Sequence, residues 1–203
     1  MPKGFKQEEK QHIQQALLAE GRELFCQFGL QKTSIQDITK KVGIAAGTFY
    51  KFFQSKEELY FDILANEEEE VKNFLNNLDV TNSSNPKSVI KQHLLTTIEM
   101  VEKNPLMRQI YLGDNMNALS RKIPEEKLAN HLKEDNQASS VLITNWKQQG
   151  VIIKYEPELV TGLFRSLFML TLHKKEIGED IYRATIELHV DLLVEGLIEE
   201  EVK

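Results

Sequence analysis

Apolar residues recur at helical spacing along almost the whole chain. Between Gln7 and Phe28 they stand at Ile13, Ala16, Leu17, Ala19, Leu24, Phe25 and Phe28, and Gly29 follows. That spacing predicts one helix, ended by a glycine just past its last turn. Two short helices are predicted next, Ser34 to Lys41 and about Ala45 to Lys51, with Gly43 in the turn between them. Ser55 with Glu58 three residues on is a capping-box pattern, and it opens a long helix to about Leu78. The polar stretch from Asp79 to Pro86 is a loop, and a helix from about Lys87 to Lys103 is broken at Asn104-Pro105. Leu106 to Ile123 reads as one or two short helices. Pro124 and Pro157 suit the first position of helices ending near Gly150 and Lys174, and a last helix runs from about Glu179 to Glu200. No stretch alternates as a strand does, so the fold class expected is all-α.

Charge refines this picture. The net charge of the 203 residues is −6, yet residues 1–60 carry +2 and residues 61–203 carry −8. A protein that binds a polyanion needs only a local basic face, and the basic end here is the first. Hydrophobic residues make up 41% of the chain, which suits a folded protein. The lone cysteine, Cys26, has no partner for an intramolecular disulfide, and its place beside Phe25 makes a buried core thiol the default. The start lacks an apolar signal core and no apolar run is long enough to span a bilayer, so a cytoplasmic protein without a membrane partner is expected. The five histidines show no paired zinc spacing. No phosphate loop, nucleophile elbow or catalytic dyad appears. The expectation is no enzyme, no metal and no cofactor, with Glu67 to Glu70 a solvated helix face.

The informative stretch is Phe25 to Leu59. Two short helices around a glycine turn are the skeleton of a helix-turn-helix, whose second helix lies in the major groove of DNA. Ile35, Ile38 and Val42 would pack the first helix inward, and Ile44 and Phe49 would anchor the second. Thr33 and Ser34 would cap the first helix with their hydroxyls and turn their amides to an anion. Ala45, Ala46, Gly47, Thr48, Tyr50 and Lys51 are left for the outside. Small residues allow close approach to DNA, Thr48 suits a base or phosphate, and Tyr50, Lys51 and Lys56 suit phosphates.

The same stretch resembles the tetracycline-repressor (TetR) family signature. The residues that carry the likeness are Phe25, Gly29, Thr33-Ser34, Asp37-Ile38, Gly43-Ile44, Gly47-Thr48-Phe49-Tyr50, Phe53 and Ser55-Lys56-Glu57-Glu58-Leu59. It covers about 50 residues, and beyond them only the layout matches. Ala45 departs from it, standing where a serine or threonine commonly caps the recognition helix. The resemblance implies a dimeric repressor with a helix-turn-helix domain over residues 1–55 and a helical regulatory, ligand-binding and dimerisation domain over residues 56–203. It implies DNA contacts at Thr33, Thr48, Tyr50 and Lys56, and a pocket for a small-molecule effector. Candidates for that pocket in the middle helices are Met100, Met107, Arg108, Tyr111, Asn145 and Trp146.

The last two helices are apolar on more than one face, and a helix with two apolar faces needs two partners. One partner is the domain core. The other is expected to be a second subunit, with Phe164, Phe168, Leu193 and Leu197 at the interface. The function expected is a ligand-responsive dimeric repressor on palindromic operator DNA, released by an apolar or amphipathic effector. The alternatives are a helix-turn-helix-derived interaction module without DNA binding, or an enzyme built on a helical bundle.

Overall fold

The structure is a computed structural model that describes residues 6–81, 83–111, 119, 121–171 and 173–199. Ten helices and one two-residue strand pair stand among the described residues: α1 Gln7–Lys32, α2 Ile35–Val42, α3 Ala46–Phe49, α4 Lys56–Asn76, α5 Pro86–Lys103, α6 Pro105–Tyr111, α7 Glu125–Gln148, β1 Ile152–Ile153, α8 Pro157–Thr171, α9 Lys174–Ile177, α10 Tyr182–Leu197 and β2 Ile198–Glu199. The strand pair is a departure from the sequence reading. It is antiparallel, pairing Ile152 with Glu199 and Ile153 with Ile198. Among the described residues no helix is long and apolar enough to cross a membrane.

The chain forms two compact units, one of residues 1–68 and 105–128, the other of residues 69–104 and 129–203. The division falls inside α4 rather than at residue 55, and residues 105–128 join the first unit. Tertiary bonds explain the second point. The Tyr60 hydroxyl donates to the Leu106 carbonyl at 2.9 Å, and α6 packs on α1. Burial pushes the Tyr60 phenol well above its ordinary range.

In the first unit, α1 packs on α2 and α2 on α3. Leu17, Leu24, Phe25, Ile38, Phe49, Phe53, Leu59 and Tyr60 are buried there. The Phe25 and Tyr60 rings meet edge to face at 5.1 Å, a favourable aromatic geometry. Phe28, read from the sequence as part of the inward face, is exposed. Gly29 breaks the helical path with φ 80° and ψ 165°, so Leu30 to Lys32 form a separate last turn of α1. Cys26 is half-buried, and burial raises its thiol pKa.

In the second unit, α10 packs on α5 and α8. Leu94, Ile98, Ile143, Trp146, Val160, Phe164, Leu167, Ile186, Val190 and Val194 belong to one core. Two ion pairs tie α5 to α10: Lys87 with Glu195 at 2.6 Å, and Lys91 with Asp191. Pro86 and Pro157 take the first helical position, where a missing amide hydrogen costs nothing.

Candidate nucleic-acid interface

The reading element is built from the end of α1 to the start of α4. The last carbonyls of α1 have no partner within the helix and need donors from elsewhere. Lys56 supplies them. Its ammonium donates to the Leu30 and Thr33 carbonyls at 2.8 Å each and approaches the Gln31 carbonyl at 3.3 Å. A cation at a helix C-terminus also meets the negative end of the helix dipole. Thr33 is buried, and its hydroxyl donates to the Gly29 carbonyl at 2.8 Å. Both residues were expected at DNA phosphates from the sequence. The structure places the Thr33 hydroxyl and the Lys56 ammonium on the protein's own backbone instead.

Ser34 begins α2 as expected. The Asp37 amide donates to the Ser34 hydroxyl oxygen at 3.1 Å, and the Ser34 amide donates back to the Asp37 carboxylate at 3.0 Å. The Ser34 hydroxyl donates to the same carboxylate at 2.5 Å. These bonds, the hydroxyl's first, hold the Asp37 carboxyl below its ordinary value of 3.8. The Ser34 amide is therefore engaged by Asp37 rather than left for an anion. At its other end α2 stops at Gly43, whose φ of 77° lies in the left-handed region, with its amide on the Thr39 carbonyl. Glycine takes that conformation without a Cβ penalty. Thr39 is buried, and its hydroxyl donates to the Ile35 carbonyl at 2.9 Å.

α3 is one turn long. Ala45 precedes it without a side-chain cap. Phe49 is fully buried, and its ring lies 5.8 Å from that of Phe53, also buried. That anchor turns the opposite side of α3 outward. Ala45, Ala46, Gly47, Tyr50 and Lys51 are exposed and Thr48 is half-buried. Tyr50 is the largest of them, 61% exposed. No heavy atom lies within 4 Å of where a Cβ on Gly47 would be. The surface is low over Ala45 to Gly47 and flanked by a phenol and an ammonium, a shape and chemistry suited to close backbone approach to a groove. Gln36 and Lys40 are exposed on α2, and the sequence reading did not single them out as contacts. Their signal was helical: both lie opposite Ile38 and Val42. Lys41 next to them is held by Glu23 at 2.9 Å and Glu20 at 3.4 Å, and the bond to Glu23 most of all raises its pKa.

The effector candidates divide between the units. Met107 and Arg108 lie in the first unit, Met107 buried in its core and Arg108 exposed. The Tyr111 side chain lies outside the described residues. Met100, Asn145 and Trp146 lie in the second unit, the first two half-buried. Trp146 is 2% exposed and packs edge to face on Phe164 at 5.9 Å. Its buried indole N–H has no hydrogen-bond partner among the described residues.

The four interface candidates differ in how far they are buried within their own unit. Phe164 and Leu197 are buried in the core of their own unit, and Phe168 and Leu193 are half-buried against it. The outward apolar residues of α8 are Leu159 and Met169, and those of α10 are Leu188 and Leu192, with Ile181 just before it. Both helices carry apolar residues on two faces, and Val160, Phe164, Leu167 and Thr171 take the inward side of α8.

The comparisons with known proteins agree with this geometry. The family described as bacterial regulatory proteins, tetR family, matches at residues 17–63, which spans the whole reading element. Among curated proteins, the nucleoid occlusion factor SlmA of Actinobacillus pleuropneumoniae serotype 5b is 26% identical over 113 residues, 56% of this chain and 54% of that protein. The chain thus spans about half the length of the curated relatives it matches. A TetR-family transcriptional regulator from Pectobacterium atrosepticum has the same fold, with a TM-score of 0.72 and 22% identity over 97% of this chain and 99% of that one. SmeT, the repressor of the Stenotrophomonas maltophilia multidrug efflux pump SmeDEF, shares it at a TM-score of 0.60 and 13% identity, over 94% of this chain and 92% of that one. Residues 17–63 thus match the tetR family of bacterial regulatory proteins, and the chain as a whole has the fold of solved TetR-family transcriptional regulators.

Proposed function

We propose that this protein is a dimeric repressor that reads a palindromic operator through α2 and α3 and leaves it when a small molecule binds. The observation that carries the DNA half is the anchored one-turn helix with Ala45, Ala46, Gly47, Thr48, Tyr50 and Lys51 outward. Ser34, Gln36 and Lys40 extend that surface along α2. Symmetry follows from the second unit. Leu159, Met169, Ile181, Leu188 and Leu192 expose large apolar surface on α8 and α10, and exposed apolar patches mark association sites. A second copy on that face gives two equal reading heads and hence an inverted-repeat site.

The effector half rests on Trp146. A buried donor without an acceptor costs about 1–3 kcal/mol, and an effector carrying an acceptor atom would relieve it. SmeT, a structural neighbour, has been solved in complex with triclosan. The effector expected here is apolar or amphipathic with one hydrogen-bond acceptor. Selection of bound duplexes from a random pool tests the DNA half, with an inverted repeat expected. A pool that yields no enriched sequence would refute it. Trp146 fluorescence titrated alongside DNA release tests the effector half, with both changes expected over one concentration range because binding and release are linked.

A further inference from the structure

A chain of contacts inside the first unit runs from the opening turn of α7 to the exit of the recognition helix. The Lys127 ammonium lies 2.5 Å from the Asp62 carboxylate and 3.1 Å from that of Glu58. It also sits 5.9 Å from the centre of the Phe61 ring. The other oxygen of Glu58 accepts the Gln54 amide at 2.7 Å. Gln54 directly follows Phe53, whose amide donates to the Phe49 carbonyl at 3.1 Å and closes the turn after α3. Lys127 thus grips the residues that close the recognition element.

We propose that Lys127 is a positioning residue for DNA recognition, acting through Glu58 on the turn that fixes α3. The inference rests on the DNA-binding reading above. The physical reason lies in Glu58 and Asp62, two carboxylates four residues apart on α4. Like charges at that spacing repel, and the shared ammonium holds both in place. Without it Glu58 swings away from Asp62 towards water and releases the Gln54 amide. The turn from Tyr50 to Phe53 then samples other geometries, and a base-reading surface loses more from that than a phosphate-binding one, because base contacts need fixed positions.

The test uses the full chain and the duplex selected from the random pool, beside a scrambled duplex of equal length. K127M keeps the apolar stem and removes the charge. Its affinity for the selected duplex is expected to fall about threefold to tenfold, the scale of a partly exposed ion pair. Affinity for the scrambled duplex and the salt dependence on both are expected to stay as in wild type. K127R is expected to restore binding, and E58Q combined with K127M is expected to cost little more than either alone. A loss of overall stability on that scale leaves the protein folded and would not change the ratio of specific to non-specific affinity. Unchanged binding by K127M overturns the proposal. So does an equal loss on both duplexes with a shallower salt slope, which would make Lys127 a phosphate contact, and so does failure of K127R to restore binding. If the wild type selects no duplex, the DNA-binding reading fails and takes this inference with it.

Discussion

Lys56→Met separates two roles that a lysine beside a helix-turn-helix can have. In the structure its ammonium bonds the Leu30 and Thr33 carbonyls at 2.8 Å each. Methionine keeps the stem and removes these donors. Hydrogen bonds to a charged group contribute about 1.5–3 kcal/mol in mutational series, but they are not additive and part of this site is open to water. Water can resolvate the carbonyls, so the expected destabilisation is about 2 kcal/mol, close to one such bond rather than two. For a chain of this size that corresponds to a fall of roughly 4–8 °C in melting temperature. Circular dichroism at the helical minimum measures it directly. The second measurement is the salt dependence of DNA affinity. A lysine that neutralises one phosphate contributes about 0.9 to the slope of log affinity against log salt. Because the ammonium is committed to the α1 carbonyls, the slope is expected to stay the same below the melting range. An unchanged melting temperature with a slope shallower by about one unit per protomer would refute the capping role and restore the phosphate role.

Three further predictions follow from the same geometry. Gly43→Ala has open space for its Cβ, so the whole cost comes from the positive φ, about 1 kcal/mol; chemical denaturation should show it, and Gly43→Asn should cost less. Leu188→Glu and Leu192→Glu, at exposed positions, should yield monomers with wild-type helical content by sedimentation, whereas Phe164→Glu, in the core, should unfold the second unit; a folded, monomeric Phe164→Glu would reverse that assignment. The Asp37 carboxyl is held below 3.8 by Ser34, so its contribution is fully present above that pH and fades as pH falls through the depressed value. The stability gap between wild type and Asp37→Ala should therefore be constant near neutrality and close below about pH 4.

How much of this was legible in the sequence depends on how local each cause is. The cap at Ser34, the stop at Gly43 and the proline that opens α8 act within four residues, and pattern reading found their places; Pro86, read as the end of a loop, opens α5 instead. Phe49 and Phe53 were also legible, because an aromatic pair four apart beside exposed small residues has one sensible inward side. Lys56 was not. Its partners are 23 to 26 residues away, and a long flexible side chain gives no periodic signal of where its end goes. Thr33 was misread for a related reason: a threonine beside a helix start looks like a cap, but the bend at Gly29 brings a carbonyl within reach of its hydroxyl. Phe164 and Leu197 were not legible as core residues because both sides of α8 and α10 are apolar, so spacing alone cannot tell core from outside. The strand pair at Ile152–Ile153 is two residues long, too short for alternation to show.

The lysine bonds change how the proposed contact with DNA would be made. Nine Lys and Arg in the first 60 residues suggested a basic reading head. Arg22 bonds Glu67 at 2.5 Å, Lys41 is held by Glu20 and Glu23, and Lys56 caps α1, so these three act within the protein. On the exposed side of α2 and α3 the cations are Lys40 and Lys51, set among Ala45, Ala46, Gly47, Thr48 and Tyr50. Two lysines per protomer neutralising one phosphate each would contribute about −4 to a dimer's salt slope. On the proposed reading, recognition leans also on neutral contacts whose geometry is fixed: hydroxyls to phosphate and base edges, and backbone close against the groove. Such contacts fail with small displacements, where long-range attraction between charges does not. That is a physical reason for the anchoring around α3 to be so dense, with Phe49 and Phe53 beneath it, Gly43 before it and the Glu58 carboxylate on the Gln54 amide after it. A measured slope steeper than about −8 would mean that lysines outside α2 and α3 carry the binding, and this account of the anchoring would lose its basis.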